Sequence, residues 1–348
     1  MTILFLYTEL AGYFLAGIRE LVSKSVDVHI VRWPVNKEAP FDFEFPNNLN
    51  IYERDDYSDS QLQDLVKKIN PDVIFSSGWV DSGYLKVCRK YKSKIPTVLT
   101  MDNQWHGTFR QQIMRILSPF KLHSAYNKVW VPGIPQKEYA LKLGFKEADI
   151  QTGFYSADVD FFSPIKSERN SKDKYPHRLL YVGRYINAKG LDLLFKSWIE
   201  ICEEHNHDWQ LICVGTGELF ESRPIHPRIE HRGFMQPTDM LKLLKDVGAF
   251  VLPSRFEPWG VVVHEMAASG LPMVVSSAVG SVTEFLDEGV NGYIFSSEDA
   301  DDLKCKLLKI ISQSDDELRK MSDNSYSKGV RQTPQKWADK VMGYLDER

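Results

Sequence analysis

The chain has 348 residues, 43% hydrophobic and 26% charged, with a formal net charge of −4. That length allows two ordinary domains and the composition is that of a globular protein. The slight acidic excess argues against a nucleic-acid binder, which would carry a basic surplus.

The opening Met1–Glu9 lacks the basic segment of a signal peptide, and no run approaches the roughly 18 apolar residues that span a bilayer. The expectation is a cytoplasmic protein, with peripheral contact at the inner face of a membrane left open. Cys88, Cys202, Cys213 and Cys305 lie far apart with no CxxC pair, and read as ordinary thiols of a reducing compartment.

In chain order, strand-like runs fall at Ile3–Tyr7, Val26–Val31, Val73–Ser76, Thr97–Thr100 and Val129–Pro132. A second series falls at Leu179–Val182, Gln210–Val214, Ala249–Leu252, Met273–Val275 and Tyr293–Phe295. The runs are continuously apolar rather than alternating, which marks strands buried on both faces of a parallel sheet. Helical periodicity appears between them, at Leu62–Ile69, Thr108–Leu117, Leu191–Glu204, Met240–Lys245, Leu303–Ile311 and Trp337–Leu345. Strands alternating with helices predict βαβ units. The polar stretch Ser163–His177, bracketed by prolines, reads as a linker between five strands and five more. The expected domains are 1–160 and 161–333, each Rossmann-like, with a last helix at 334–348 returning to the first.

The segment Ser254–Pro272 carries the most chemistry. It follows a strand and ends on Gly270 and Pro272, so a helix starts near Gly260. The free amides of Gly260, Val261 and Val262 would face the preceding loop and favour an anion there. Glu257 stands in that loop and Glu265 lies inside the helix. Each taken alone reads equally well as a solvated acid. A second loop runs from Gly183 to Gly190 and carries Arg184 and Lys189. It lies at the carboxyl edge of a parallel sheet, where open α/β folds bind ligands. A fork and a point charge suit a diphosphate. The run Gly215-Thr-Gly217 resembles a dinucleotide fingerprint only loosely.

Together, Gly183-Arg184…Lys189-Gly190, Gly215-Thr-Gly217, Glu257-x7-Glu265 and Gly280…Glu284 with Gly289-Val-Asn-Gly292 resemble the retaining glycosyltransferases of family 4, in the GT-B superfamily. The resemblance is strong over residues 178–297. It implies two Rossmann-like domains with parallel sheets facing a central cleft. It also implies transfer of a sugar from a nucleoside-diphosphate sugar to a hydroxyl of a glycan or lipid-linked acceptor, in surface polysaccharide or lipopolysaccharide synthesis. Arg184 and Lys189 would then neutralise the leaving diphosphate. Glu257 would bond hydroxyls of the donor sugar and Glu265 the ribose, while Phe234 and Met235 would lie against the base.

The first half matches the family less closely. The loop after the first strand holds one glycine, Gly12, as the candidate for phosphate approach. His106 is the match for the family's histidine after an inner strand, with Asp102, Asn103 and Trp105 shaping the acceptor pocket. Arg110, Arg115, Phe120, Lys121 and His123 form a candidate membrane-facing set, or a solvated helix.

The implied mechanism is a front-face displacement without a protein nucleophile, cofactor or metal. A GT-B epimerase, a phosphorylase and a non-catalytic sugar-nucleotide binding subunit share the architecture. A dehydrogenase fails for want of GxGxxG after the first strand. The base is left open between uridine and guanosine.

Overall fold

The computed structural model describes residues 1–8, 10–34, 45–46 and 48–346. Glu9 lies outside the described residues, as do Glu347 and Arg348 at the end of the helix expected over 334–348. The chain divides into two compact units, residues 1–156 with the returning segment from 332, and residues 157–331.

The first unit runs β1 (Thr2–Tyr7), α1 (Gly12–Ser23), β2 (Asp27–Arg32), β3 (Leu49–Glu53), α2 (Asp59–Ile69), β4 (Val73–Ser77), α3 (Ser82–Tyr91), β5 (Thr97–Thr100), α4 (Phe109–Lys121), β6 (Lys128–Trp130), α5 (Ile134–Lys142) and β7 (Ile150–Gln151). Its seven strands are all parallel, in the order β3-β2-β1-β4-β5-β6-β7. Ile3 to Leu6 are fully buried, as an inner strand covered on both faces requires. Ser58 and Thr108 start α2 and α4 with reciprocal capping boxes, to Gln61 and Gln111, which fixes where these helices begin.

The second unit runs α6 (Val159–Phe162), α7 (Ile165–Asn170), β8 (Arg178–Val182), α8 (Leu191–Glu204), β9 (Gln210–Val214), β10 (Ile229–Arg232), α9 (Pro237–Leu244), β11 (Ala249–Leu252), α10 (Val261–Ala268), β12 (Met273–Ser276), α11 (Val282–Phe285), β13 (Gly292–Phe295), α12 (Ala300–Ile311) and α13 (Asp315–Gly329). Its sheet order is β10-β9-β8-β11-β12-β13, again parallel throughout, the order of a doubly wound dinucleotide-type sheet.

The last helix, α14 (Pro334–Asp346), packs in the first unit. Trp337 lies in the aromatic core with Phe5, Phe14 and Trp130, and its indole N–H donates to the Phe154 carbonyl at 2.7 Å. Gly17 of α1 leaves the space that ring occupies: a Cβ there would meet it at 2.4 Å.

Two expectations are corrected. The strands β3, β7 and β10 escaped the pattern, and all three sit at a sheet edge. An edge strand buries one side only, so Leu49–Glu53 and Ile229–Arg232 carry no continuous apolar run. The stretch Ser163–His177 is not a free tether, because it contains α7. Arg169 of that helix is fully buried, and its guanidinium donates to the carbonyls of Ser269 at 2.7 Å and Gly270 at 2.5 Å. A charged residue that looked solvated therefore docks the segment on the second unit.

Candidate functional site

Reversal of winding direction opens a crevice in each sheet at the carboxyl ends of two neighbouring strands. In the second unit those strands are β8 and β11, and their loops, 183–190 and 253–260, carry the charged residues marked by the sequence.

The loops are locked by main-chain contacts. Gly183 N–H donates to Val214 O, and Tyr185 N–H to Thr216 O at 2.8 Å. The Tyr181 hydroxyl donates to the Arg184 carbonyl at 2.9 Å, leaving the exposed Arg184 side chain on a fixed backbone. Gly215 has φ 136°, and a Cβ there would stand 2.0 Å from the Gly183 carbonyl oxygen. Its glycine thus serves the close approach of two loops, a packing reason in place of the loose fingerprint.

Lys189 closes a 3₁₀ turn at Asn187–Lys189, and its ammonium forms an ion pair with the Glu257 carboxylate. The side chains are only 16% and 15% exposed. The sequence assigns them separate tasks; the structure joins them directly. Gly260, at φ 84°, precedes α10, and a Cβ there would meet the Glu257 side chain at 2.9 Å. Its bareness therefore makes room for Glu257 as well as keeping the helix start open. The amides of Val261 and Val262 fall in the first turn of α10, where no intrahelical partner exists. Gly280 N–H donates to Glu257 O and Ser281 N–H to Trp259 O, strapping the loop from behind.

Arg255 was not picked out from the sequence, although it lies in the same segment. Its guanidinium grips both Asp192 oxygens at 2.6 Å, the Asn187 carbonyl at 3.0 Å and Glu298 at 2.9 Å. The Arg255 and Phe256 amides both donate to Ala188 O. One residue thereby ties the Lys189 turn to the Glu257 loop.

Glu265 is half-buried on α10, and burial, with Asp158 nearby, pushes its carboxyl up to about 7. It is no solvated acid. Its neighbour His264 is fully buried, and its Nδ1 accepts from the Ala157 amide at 2.9 Å. His264 Nε2 therefore carries the proton and donates to the Gly329 carbonyl at 2.8 Å.

Phe234 and Met235 are half-buried and line a groove with Arg232, Gln236 and Lys242. Behind them His231 is held neutral by burial, accepting from the Tyr185 hydroxyl and donating to Pro224 O.

In the first unit the corresponding crevice lies between β1 and β4. A cavity of about 490 Å³ opens there, walled by Tyr7, Tyr13, Phe154 and Tyr155 and reached by Asp102 and Asn103. The Tyr155 hydroxyl donates to Asp102 Oδ2 at 3.1 Å, and Thr8 N–H to Ser77 Oγ at 2.9 Å. Gly12 opens α1, with nothing within 4 Å of where a Cβ would stand.

The four residues expected to act together here divide. Asp102 and Asn103 enter the cavity, whereas Trp105 packs on Tyr139 at 5.4 Å, beside Lys142. His106 is exposed, outside the cavity lining, and its amide donates to Gln111 Oε1 at 2.8 Å within the turn that caps α4.

Residues 163–328 match the family model of glycosyl transferases group 1. An uncharacterized glycosyltransferase of Methanocaldococcus jannaschii is 31% identical over 192 residues, 53% of this chain. That stretch spans only 45% of the relative's length. The capsular polysaccharide biosynthesis glycosyltransferase CapM of Staphylococcus aureus is 22% identical over 90% of this chain and 87% of its own. HepE of Anabaena, solved in complex with UDP and glucose, superposes with a TM-score of 0.73 over 100% of both chains at 16% identity. The chain therefore has the GT-B fold of these solved structures, and its residues 163–328 are similar to the glycosyl transferases group 1 domain.

Proposed function

We propose that the protein transfers a sugar, with retention, from a nucleoside-diphosphate sugar to a hydroxyl of a glycan or lipid-linked acceptor in surface polysaccharide synthesis. The observation that carries the reading is the crevice between β8 and β11, where Lys189, Glu257, the start of α10 and Glu265 occupy two adjoining loops and one helix. The UDP and glucose bound by the Anabaena neighbour and the polysaccharide role of CapM support uridine as the base and a glycan as the acceptor.

The diphosphate lies against Lys189, Arg184 and the amides of Val261 and Val262, which meet its charge without a metal. Glu257 accepts from hydroxyls of the donor sugar, and Glu265 accepts from the ribose pair. The acceptor oxygen bonds to the anomeric carbon as the bond to the diphosphate breaks on the same face. The departing phosphate oxygen takes the hydroxyl proton. Catalysis then consists of positioning and charge stabilisation.

Calorimetric titration of metal-free protein with UDP, GDP and ADP, repeated on Lys189→Ala and Glu265→Ala, tests the reading. One nucleotide should bind without added metal, and both substitutions should weaken it. Binding that ignores both substitutions, or that requires a divalent cation, would overturn the proposed site.

A further inference from the structure

The helix α4 turns its apolar side outward. At about 100° per residue, Phe109, Ile113, Ile116, Leu117 and Phe120 fall within an arc of about 100°. Phe109 and Phe120 are each 79% exposed and Ile116 is 72% exposed, while only Met114 and Ser118 of this helix are buried. Those two lie about 110° and 150° from the middle of that arc. An amphipathic helix of a globular unit ordinarily buries its apolar stripe, so a row of five large exposed side chains marks a surface that meets something else.

Charge identifies the occupant. Between Ser82 and Lys137 the chain carries ten Lys and Arg against one acid, Asp102, in a protein whose formal net charge is −4. Arg110 and Arg115 stand exposed on α4 itself. The basic end of α3 is fastened beside it: Arg89 Nε donates to Ser124 Oγ at 3.0 Å, and the Lys92 ammonium bonds the His123 carbonyl. Exposed Arg89 and half-buried Lys92 thus flank the turn that follows α4. His123 does not join them, since its ring stacks on Phe145 and bonds Leu143 O.

We propose that α4 is a docking helix for an anionic lipid surface. Its apolar row enters the boundary between headgroups and acyl chains, and the surrounding cations meet the lipid phosphates. Each cation near an anionic leaflet adds about fivefold to binding. The surface needs nothing from the sugar-transfer reading.

The test is co-sedimentation of the full chain with vesicles of phosphatidylcholine, or of phosphatidylcholine and phosphatidylglycerol in equal parts. The protein should bind the anionic vesicles about tenfold or more tightly than the neutral ones, and added salt should narrow the gap. Ile116→Glu with Phe120→Glu should abolish binding, while Arg110→Gln with Arg89→Gln should weaken it on anionic vesicles alone. Because both pairs are exposed, melting temperature and UDP binding should stay unchanged, which separates failure here from failure of the donor site. Absence of binding to the anionic vesicles overturns the proposal, as does binding that survives the two glutamates. A concentration-dependent dimer dissolved by those glutamates would instead assign the row to a second copy of the chain, and overturns it too.

Discussion

The Lys189 ammonium rests on the Glu257 carboxylate, so the cation proposed for the diphosphate and the acid proposed for the sugar neutralise one another across two loops. A diphosphate must share Lys189 with Glu257. Lys189→Ala should weaken UDP binding about 10–100-fold, the worth of a charge-assisted hydrogen bond. Glu257→Gln should act in opposite directions, binding UDP at least as tightly as before while lowering sugar transfer about 100-fold or more. Calorimetry and a transfer assay on the same preparations separate the two effects.

Glu265 couples the site to pH. Its folded carboxyl titrates at about 7, above the usual 4.5. Ionisation therefore costs the folded state, and stability should fall as pH rises from the ordinary glutamate range through about 7. Glu265→Gln should remove that loss, visible as a flatter plot of melting temperature against pH. Ribose hydroxyls donating to this carboxylate favour its ionised form, so UDP binding near pH 6.5 should release a proton. Titrations in buffers of different ionisation enthalpy should show the release in the parent protein and none in Glu265→Gln.

Arg255 should matter without touching ligand. Arg255→Ala frees the Asn187–Lys189 turn from the Glu257 loop and should weaken UDP binding about tenfold. Arg255→Lys should recover only part of this, since one ammonium cannot grip both Asp192 oxygens. A parallel rise in protease cleavage within residues 183–192 would distinguish loosening of the loop from simple loss of charge.

The cavity of the first unit separates Asp102 from His106. Asp102→Asn should lower transfer about 10–100-fold with UDP affinity unchanged, because it replaces one of the two carboxyl oxygens that the cavity offers as hydrogen-bond acceptors. Tyr155→Phe should have a smaller effect in the same direction, since it removes only the hydroxyl that orients Asp102. His106→Ala should cost less than either if the acceptor occupies this cavity. Steady-state transfer rates of the three variants decide the order.

Much of the fold was legible because inner parallel strands are continuously apolar and their connections short. Leu179–Val182 and Ala249–Leu252 announce themselves in this way. Leu49–Glu53 does not, since an edge strand must stay half polar. The site was legible where glycine and charge sit in one segment, as around Glu257 and Gly260. It was obscure where a contact joins residues far apart in sequence. Lys189 and Glu257 are 68 positions apart, Arg255 and Asp192 are 63, and Tyr155 and Asp102 are 53. Spacing alone gave no sign that Arg169, in a run of polar residues, would be buried under Ser269 and Gly270. His106 follows an inner strand, and spacing alone gave no sign that its side chain would stand exposed outside the cavity that Asp102 and Asn103 line.

The placement of Trp337 has a consequence for synthesis. Its ring fills the notch over Gly17 and completes the cluster of Phe5, Phe14 and Trp130, so the first unit takes its last core side chains from the final turns of the chain. Residues 157–331 are all synthesised, and emerge, ahead of that ring. The second unit can therefore close while the first still shows an open aromatic face. The portion translated first is the portion finished last, and for that interval it is the part of the chain most in need of a chaperone.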